Sequence, residues 1–598
     1  MEIRDGWGRF ELPPGLPTTA PAQPMPISLL DCDSASGVQH LTFKTSNATL
    51  RPGLAFQGGL PFEYSAVTVE RDRLVLARYA RNGREILAEA AASHLEDDSV
   101  YELRVDHSNG RVRGKLWQGS EEPGDWQLDI RWPSDREGWF GILVVHPSDR
   151  DTATLSVKRY RLTVPGSFSD TKPAIPFVIS GLPERQADGS FHVRVRAASS
   201  IPARIQFEWS HRRHRRGSST PDQDAPSPPY TAAAVLESDR GRELHWRGRV
   251  RSLSSGAEAL SDWQAVVPQA SSTPLVLVAA SCAQMWGKPS CVALTNAREA
   301  APAPVRALVY QGDLGYANNR FRSCYLSAQD FFADRFTRFL ADPHFTALRQ
   351  TVGASFTLDD HDYGPKNNAS AGDVDAWAIE LWNRMHADTT DSGYCDFRFG
   401  DVHCMTLDNR RYSDPPERSA DAKISRLGAK QFAWMESIMN RSDAELFVIF
   451  SAGIFASRRH TLDCFRFGWK QEYKRAMSLF HSVQLRGKRV VVISGDAHGL
   501  RIHHHPDPED RPEAARASVV EFICSGLEAR TWSPARANDP TLDPTRSVMG
   551  TSGLGLIAID PPTAGRRTVT LRAIAARPKP PGSPDLFPPL VFPFRPGG

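Results

Sequence analysis

The sequence predicts a multidomain protein: two β-rich domains followed by an α/β domain. Three observations carry that expectation. The chain has 598 residues, too many for one core, so two to four domains are expected. Its first part is written in short alternations of apolar and polar residues, the signature of half-buried strands. From about residue 272 the style changes, and apolar strand-length runs alternate with helical stretches, the pattern of an α/β sheet.

Taken in order, residues 1–25 form a Pro-rich N-terminal segment that is expected to be loosely ordered. From 26 to 165 the strands are short. Tyr101-Glu-Leu103-Arg-Val105-Asp alternates, HSNG follows, and Arg-Val112-Arg-Gly-Lys-Leu116-Trp117 alternates again. The Asn109-Gly110 pair predicts a hairpin, because both residues tolerate positive φ. WFGILVVHP and ATLSVKRYRLTV supply later strands, and a short helix is expected near 84–93. This is a β-sandwich or jelly roll. The order YELRVDHSNGRVRGKLWQ, EEPGDWQ, REGWFGILVV resembles, in texture, the concanavalin-like lectin jelly rolls. Residues 174–268 form a second, smaller β-sandwich, with FHVRVRAA, RIQFEWS and ELHWRGRVRSL as strands. Within it, 211–230 (HRRHRRGSSTPDQDAPSPPY) is a basic, then Ser/Pro/Asp-rich insertion. It is read as a solvated loop, the alternative being a patch for phosphate-bearing polymers or lipid headgroups.

In the α/β part, PLVLVAASC, VRALVYQGD, TVGASFTLDDHD, DVHCMTLDNRR, ELFVIFSAG and KRVVVISGDAH read as strands with their following loops. Helices are expected over 327–341, 373–387, 429–440 and 470–482. Residues 576–598 are Pro-rich and are expected to drape over the surface.

The bulk chemistry excludes several classes. A net charge of +3 gives no field for a dedicated nucleic-acid binder. No run of 18 apolar residues is present, so no membrane-spanning helix is expected. The start, MEIRDGWGRFELPPG, has neither an apolar h-region nor a twin-arginine pair, and a cytoplasmic location is the expectation. Eight cysteines without a CxxC do not form a disulfide framework.

The chemistry gathers at strand ends. TLDDHDYGP, residues 357–365, packs three aspartates and a histidine into four consecutive positions after an apolar strand. Such charges repel at the mouth of a buried strand unless something positive sits among them. The other strand ends carry Ser281-Cys282, Gly312-Asp313-Leu-Gly-Tyr316 and Gly495-Asp496-Ala-His498. In open α/β sheets, sites form beyond the carboxyl ends of strands, so these loops are expected to converge. Thiolate and imidazole suit zinc or iron; clustered carboxylates suit calcium, magnesium or manganese. A site with both sets can hold two metals bridged by a carboxylate, the arrangement of two-metal phosphoester hydrolysis.

GD-x-x-Y, T-x-DDHDYGP, LD-x-R-x-Y and SGD-x-H, in this order, resemble the alkaline phosphatase D (PhoD-like) family of the calcineurin-like metallophosphoesterases. The resemblance spans roughly 272–560, and GDLGYAN is also similar to a purple acid phosphatase motif. It implies a metallophosphoesterase catalytic domain over 272–575 with a four-layer α/β/β/α core, preceded at 174–268 by the family's small β-sandwich. The implied activity is that of an alkaline phosphatase or phosphodiesterase using a binuclear metal site and a metal-bound hydroxide. By resemblance, Cys282, Asp313, Tyr316 and His498 bind an iron-like ion, Fe(3+). Asp313 bridges to a second ion, calcium as Ca(2+), held by Asp360 and Asp496, with Asp359 or Asn367 as further ligands. Other divalent metals are alternatives. His361 stabilises developing charge or protonates the leaving oxygen, and Arg410 and Asn368 contact the phosphate.

Metallophosphoesterases often supply another metal histidine from the strand that here reads FVIFSAGIF, where there is none; the alkaline phosphatase D branch manages without it, and His460 lies nearby in an expected loop. Asp362 is read as a loop or supporting residue. His503-His504-His505 is read as edge-strand surface, since one strand cannot aim three neighbours at one ion. Cys291, Cys324, Cys395, Cys404, Cys464 and Cys524 are read as plain thiols, and Trp377 and Trp382 as core. The expected partner is a phosphoester substrate, with a glycan or polymer contact through the N-terminal sandwich as a candidate. Two alternatives stand beside this reading: a phospholipase D-like lipid phosphodiesterase, and a carbohydrate-binding protein whose phosphatase domain is inactive.

Overall fold

The computed structural model describes residues 2–4, 7–12, 25–34, 37–45, 51–60, 63–70, 72–80, 83–92, 94–96, 99–108, 111–119, 121–131, 138–145, 153–163, 175, 177–185, 190–199, 202–211, 217–225, 230–238, 242–266, 273–283, 292–314, 316, 340, 343–349, 352–363, 370–385, 392–416, 423–455, 463–506, 518–527, 541–549, 553–563, 566–575 and 585–594. They are mostly β-sheet and fall into two compact units, one built on Met1–Ser169, the other on the described residues from Asp170 onward.

The first unit has a seven-stranded and a six-stranded sheet. Leu41, Phe43, Leu103, Val105, Val112 and Leu116 of the larger sheet share one apolar cluster with Leu54, Val67, Val69, Leu74 and Leu76 of the smaller. The alternation that predicted strands is the reason: every second residue turns inward. Asn109 and Gly110 lie outside the described residues, but the strands on either side pair with Ser108 opposite Arg111, leaving a two-residue link. Two expectations are corrected. The segment near 84–93 is a strand, Gly83–Ala91, antiparallel to Arg73–Ala80. GREILAEAA is rich in helix formers, but cross-strand pairing and the packing of Leu87 and Ala88 on the core override that weak preference. Within the Pro-rich start, Glu2–Arg4 and Trp7–Leu12 are strands, the latter paired with Ala153–Thr163.

The second unit opens with a four-stranded and a six-stranded sheet around Val193, Val195, Ile205, Phe207, Leu236, Trp246 and Val250. Of the 211–230 insertion, Ser218–Ser219 and Gln223–Ala225 are short strands against Ala203–Ser210; residues 212–216 and 226–229 lie outside the described residues. Arg196 Nη2 donates to the Asn383 carbonyl at 2.9 Å, tying this block to the α/β part.

The α/β part is built from β1 (Leu275–Ala280), α1 (Val292–Ala300), β2 (Val305–Gln311), α2 (Pro343–Arg349), β3 (Gly353–Thr357), α3 (Ala376–Met385), β4 (Cys395–Phe399), β5 (Val402–Leu407), α4 (Gly428–Arg441), β6 (Leu446–Ser451), α5 (Lys470–Leu485), β7 (Arg489–Ser494), β8 (Gly499–His505), β9 (Val519–Cys524), β10 (Leu542–Met549), β11 (Gly553–Ile559), β12 (Arg567–Ala575) and β13 (Leu590–Phe594). One sheet runs β3-β2-β1-β11-β12-β13, the other β4-β5-β6-β7-β9-β8-β10. Strands β1, β2 and β3 are parallel, as are β5, β6, β7 and β9. Strands buried on both faces read as continuous apolar runs, and LVLVAA, LFVIFS and RVVVIS are such runs.

One apolar cluster joins faces of both sheets through Leu277, Val309, Val448, Ile493 and Phe522. A second joins the first sheet to α1, α2 and α3 through Val278, Leu308, Leu294, Phe345 and Trp382. A third joins the second sheet to α4 and α5 through Ile449, Val492, Met435 and Phe480. Trp382 is core, and Trp377 packs partly buried against the same cluster. The expected helix at 327–341 lies outside the described residues apart from Leu340. Of the expected surface tail, Leu590–Phe594 is β13, the edge strand of its sheet, paired with β12. His503–His505 is no surface edge: β8 lies between β9 and β10, and His503 and His505 are fully buried. No described helix is long and apolar enough to cross a membrane.

Candidate metal centre

Because the parallel strands of both sheets point the same way, their carboxyl ends deliver loops to one place. A side-chain amide joins them there. Gln311, the last residue of β2, donates through Nε2 to the Ser451 carbonyl at 3.0 Å and the Ile493 carbonyl at 2.6 Å. Gly495 sits in the same seam. A Cβ on it would lie 2.5 Å from the Ala452 carbonyl oxygen and 2.7 Å from that of Gln311, so the glycine of SGD-x-H is required by close approach.

The backbone marks the site independently of its chemistry. Five non-glycine residues among those described have left-handed φ: Cys282 (58°), Asp313 (60°), Tyr316 (49°), Asp496 (59°) and His498 (48°). Such conformations cost about 1–3 kcal/mol each and persist where surroundings over-determine them, often at functional sites. All five are residues named above as candidate ligands. The sharp turns re-aim side chains across the strand ends instead of along them.

Their donor atoms converge. Cys282, Asp313 and His498 each offer a ligand atom within 4.8 Å of the others; so do Asp313, Asp360 and His361, and so do Asp313, Asp359 and Asp496. Asp313 belongs to all three sets. Cys282 Sγ lies 3.3 Å from Asp313 Oδ2, and the Tyr316 hydroxyl lies 3.4 Å from His498 Nε2. The His361 ring stacks on Tyr316 with centroids 4.6 Å apart. Cys282, Asp313, Tyr316, Asp360 and His498 are buried, and Asp496 and His361 half-buried. Asn367, Asn368 and His460 lie outside the described residues. Asp362 holds the loops: its carboxylate accepts from the backbone of Asp313 at 2.6 Å, Leu314 at 2.8 Å and Asp359 at 3.1 Å.

Arg410 is fully buried, and its guanidinium faces carboxylates on every side. Nε donates to Asp359 Oδ1, and Nη1 and Nη2 form a fork on Asp463 at 3.0 and 2.9 Å. Nη2 also lies 3.6 Å from Asp360 Oδ1. Asp408, in the same LDNRRY stretch, shapes the turn by accepting from the Arg410 and Arg411 backbone at 2.9 and 3.0 Å. Asp463 lies 3.4 Å from a second buried guanidinium, Arg426, which rests on the Trp469 ring at 4.6 Å. Asp463, Arg426 and Gln311 carry no motif and were not foreseen. Ser525 was also missed, although VVEFIC followed by Ser-Gly repeats the strand-then-polar-loop pattern of the other motifs.

The electrostatics test whether cations fit. Burial, then the nearby Cys282, Asp360, Asp359 and Asp362, pushes the Asp313 carboxyl well above its ordinary range. Asp359 is likewise raised, by burial and by Asp360 and Asp496, although Arg410 opposes the change. Burial and Asp496 push the Cys282 thiol up to about 12, and burial with Cys282 and Asp313 raises the Tyr316 phenol. Acids held this way ionise only against a compensating positive charge. Asp313 Oδ1 and Asp359 Oδ2 are buried carboxylate oxygens with no hydrogen-bond partner, a pattern that suits metal-ligand atoms. The donor set holds sulfur, phenol and imidazole, which suit a softer ion, and carboxylates, which suit a harder one.

Comparison with known proteins bears on the fold and on the family of the α/β part. No curated protein matches the chain. The solved structure of PhoD matches with a TM-score of 0.54 at 16% identity, covering 72% of this chain and 92% of that one. At that identity the likeness is one of fold. A carbohydrate-binding module from Bacillus subtilis matches with a TM-score of 0.20 at 12% identity, covering 26% of this chain and 95% of the module, too low a score to define a common fold. The family model for PhoD-like phosphatases matches residues 277–553, the stretch that holds every donor described above, so the chain carries a PhoD-like phosphatase domain there.

Proposed function

We propose that the chain is a metal-dependent phosphoester hydrolase, a broad-range alkaline phosphatase or phosphodiesterase working through a binuclear centre. The convergence of three donor sets on Asp313 carries this reading. In it, Cys282, Asp313, Tyr316 and His498 would hold an iron(III)-like ion, and Asp313, Asp360 and Asp496, with Asp359 or Asn367, would hold a calcium-like ion. The ions would supply an acidified water nucleophile and neutralise the phosphoryl oxygens. The chain does the rest. Cys282, Asp313 and Tyr316 keep the inner side dry, which strengthens every charge interaction there. His361, half-buried and steadied by the Tyr316 ring, holds a proton for the leaving oxygen. Arg410 fixes Asp359 and approaches Asp360; a direct phosphate contact by Arg410 would cost it one of these carboxylates. Asn368 is the other candidate phosphate contact. The order helices, sheet, sheet, helices in the three apolar clusters supports a four-layer α/β/β/α core and membership of the calcineurin-like superfamily.

The test is hydrolysis of p-nitrophenyl phosphate and bis-p-nitrophenyl phosphate, side by side, with iron and calcium supplied and then chelated. Turnover of at least one ester, lost on chelation, is expected. Dominant diester turnover would mark a pocket open at both phosphoryl ends; dominant monoester turnover, a phosphate-releasing enzyme. Metal-replete protein that turns over neither would overturn the reading.

A further inference from the structure

We infer that Ser525, at the carboxyl end of β9, is the positioning residue of the sulfur side of the centre. It clamps Cys282 and His498 together and donates the hydrogen bond that steadies the Cys282 thiolate when a metal is held. The inference rests on the metal-centre reading above.

Ser525 is fully buried and contacts both ligands through one atom. Its Oγ donates to Cys282 Sγ at 3.2 Å and accepts the backbone N–H of His498 at 2.8 Å. Cys282 follows β1 of one sheet and His498 follows β7 of the other, so this hydroxyl joins ligands that the fold brings from different sheets. The surrounding backbone holds it in place. Leu527 N donates to the Ser281 carbonyl at 3.0 Å, and Ser525 N to the Gly499 carbonyl at 3.3 Å. Gly526, with φ +90°, runs so close to His498 that a Cβ on it would sit 3.3 Å from the His498 Cα.

Counting protons singles Ser525 out among the sulfur's neighbours once a metal is held: the Tyr316 phenol also hydrogen-bonds with Cys282, but as a ligand of the same ion it would give up its proton. Asp313 as a carboxylate can only accept. Ser281 Oγ is farther, at 3.5 Å, and its single proton also has the Cys524 carbonyl at 3.3 Å, a better acceptor than sulfur. Ser525 has one proton, and since its other contact is with an N–H donor, that proton goes to sulfur. A thiol that gives up its proton to a metal loses its bond to Asp313, whereas the Ser525 bond strengthens, because the acceptor becomes an anion. Partners of this kind orient ligands and tune them, and their loss costs about 10–100-fold in metal affinity.

The experiment loads the purified full chain with Co(2+) and follows the thiolate-to-cobalt charge-transfer band during titration, for wild type, Ser525→Ala and Ser525→Thr. A hydrogen bond to sulfur lowers its electrons in energy, so removing it should move the band to longer wavelength. Ser525→Ala is expected to show that red shift and about 10–100-fold weaker binding, with Ser525→Thr, which keeps the hydroxyl, returning both toward wild type. A merely structural role would not move the band. Wild-type affinity with an unshifted band in Ser525→Ala would overturn the inference while leaving the phosphoesterase reading intact. If Ser525→Ala does not fold, Ser525→Val, which keeps the shape of the threonine side chain without its hydroxyl, is compared with Ser525→Thr, and an unshifted band between those two overturns it equally. A wild-type protein that shows no thiolate-to-cobalt band would overturn the inference and the sulfur ligand of the proposed centre together.

Discussion

Asp313 belongs to all three donor sets, and its replacement separates two effects that usually travel together. In most buried positions, losing a charged group costs both function and stability. Here the carboxyl is raised by burial and by its acidic neighbours, so the metal-free fold gains nothing from its charge. Asp313→Asn keeps the shape and removes the repulsion. Metal content and phosphoester turnover are therefore expected to fall by more than about a hundredfold, a larger loss than outer partners cause. The melting temperature of the metal-free protein should be unchanged or higher. Metal analysis and calorimetry on the same sample check this; wild-type metal content in the variant would remove Asp313 from the shared position.

Among elements, β8 and β9 carry charge that has no part in the proposed chemistry. Glu521 on β9 is fully buried and lies 3.0 Å from His505 Nε2 on β8. It also accepts from Ser494 Oγ at 2.6 Å and from Phe455 N at 2.7 Å. Burial alone would raise its carboxyl, but the His505 hydrogen bond, the charges of His505 and His503, and Ser494 bring it from 4.5 down to about 2. A folded value below the unfolded one means that this group stabilises the fold fully above about pH 4.5 and loses that contribution as the pH falls toward 2. Glu521→Gln should lower stability at neutral pH by about 3–5 kcal/mol, the cost of breaking a buried pair, and flatten the acid limb below pH 4.5. Denaturant titrations across pH check both, and an unchanged acid limb would mean that Glu521 is not ionised in the fold. The same elements show what was legible in the sequence. Apolar runs ending in Cys, Asp or Gly-Asp announce both the strands and the ligands, because a parallel strand and a site at its carboxyl end share one local syntax. The buried histidines escaped because β10, which makes β8 an inner strand, is recruited from residues 542–549, beyond any local pattern. Asp463 and Arg426 escaped for a related reason: Asp463 meets Arg410 and Arg426 only once separate loops are packed, and neither sits in a motif.

For the whole molecule, every described candidate ligand lies in the unit that begins at Asp170, and none lies in Met1–Ser169. A ligand that binds only the folded state stabilises the unit that holds it, by about 2.7 kcal/mol at a free concentration of 100 times its Kd. Two compact units need not melt in one transition. Scanning calorimetry of metal-loaded and chelated protein should therefore resolve a transition that chelation lowers by a few degrees and another that it leaves in place. The stationary transition belongs to the Met1–Ser169 unit, and limited proteolysis at the temperature between the two should leave that unit intact after the other is digested. If both transitions fall together on chelation, the two units unfold as one cooperative body, and the metal centre then sets the stability of the entire chain. If neither moves, no metal binds the folded state tightly enough to matter, and the charge at the strand ends must be relieved by protonation instead, a result that would remove the physical basis for hydrolysis at this site.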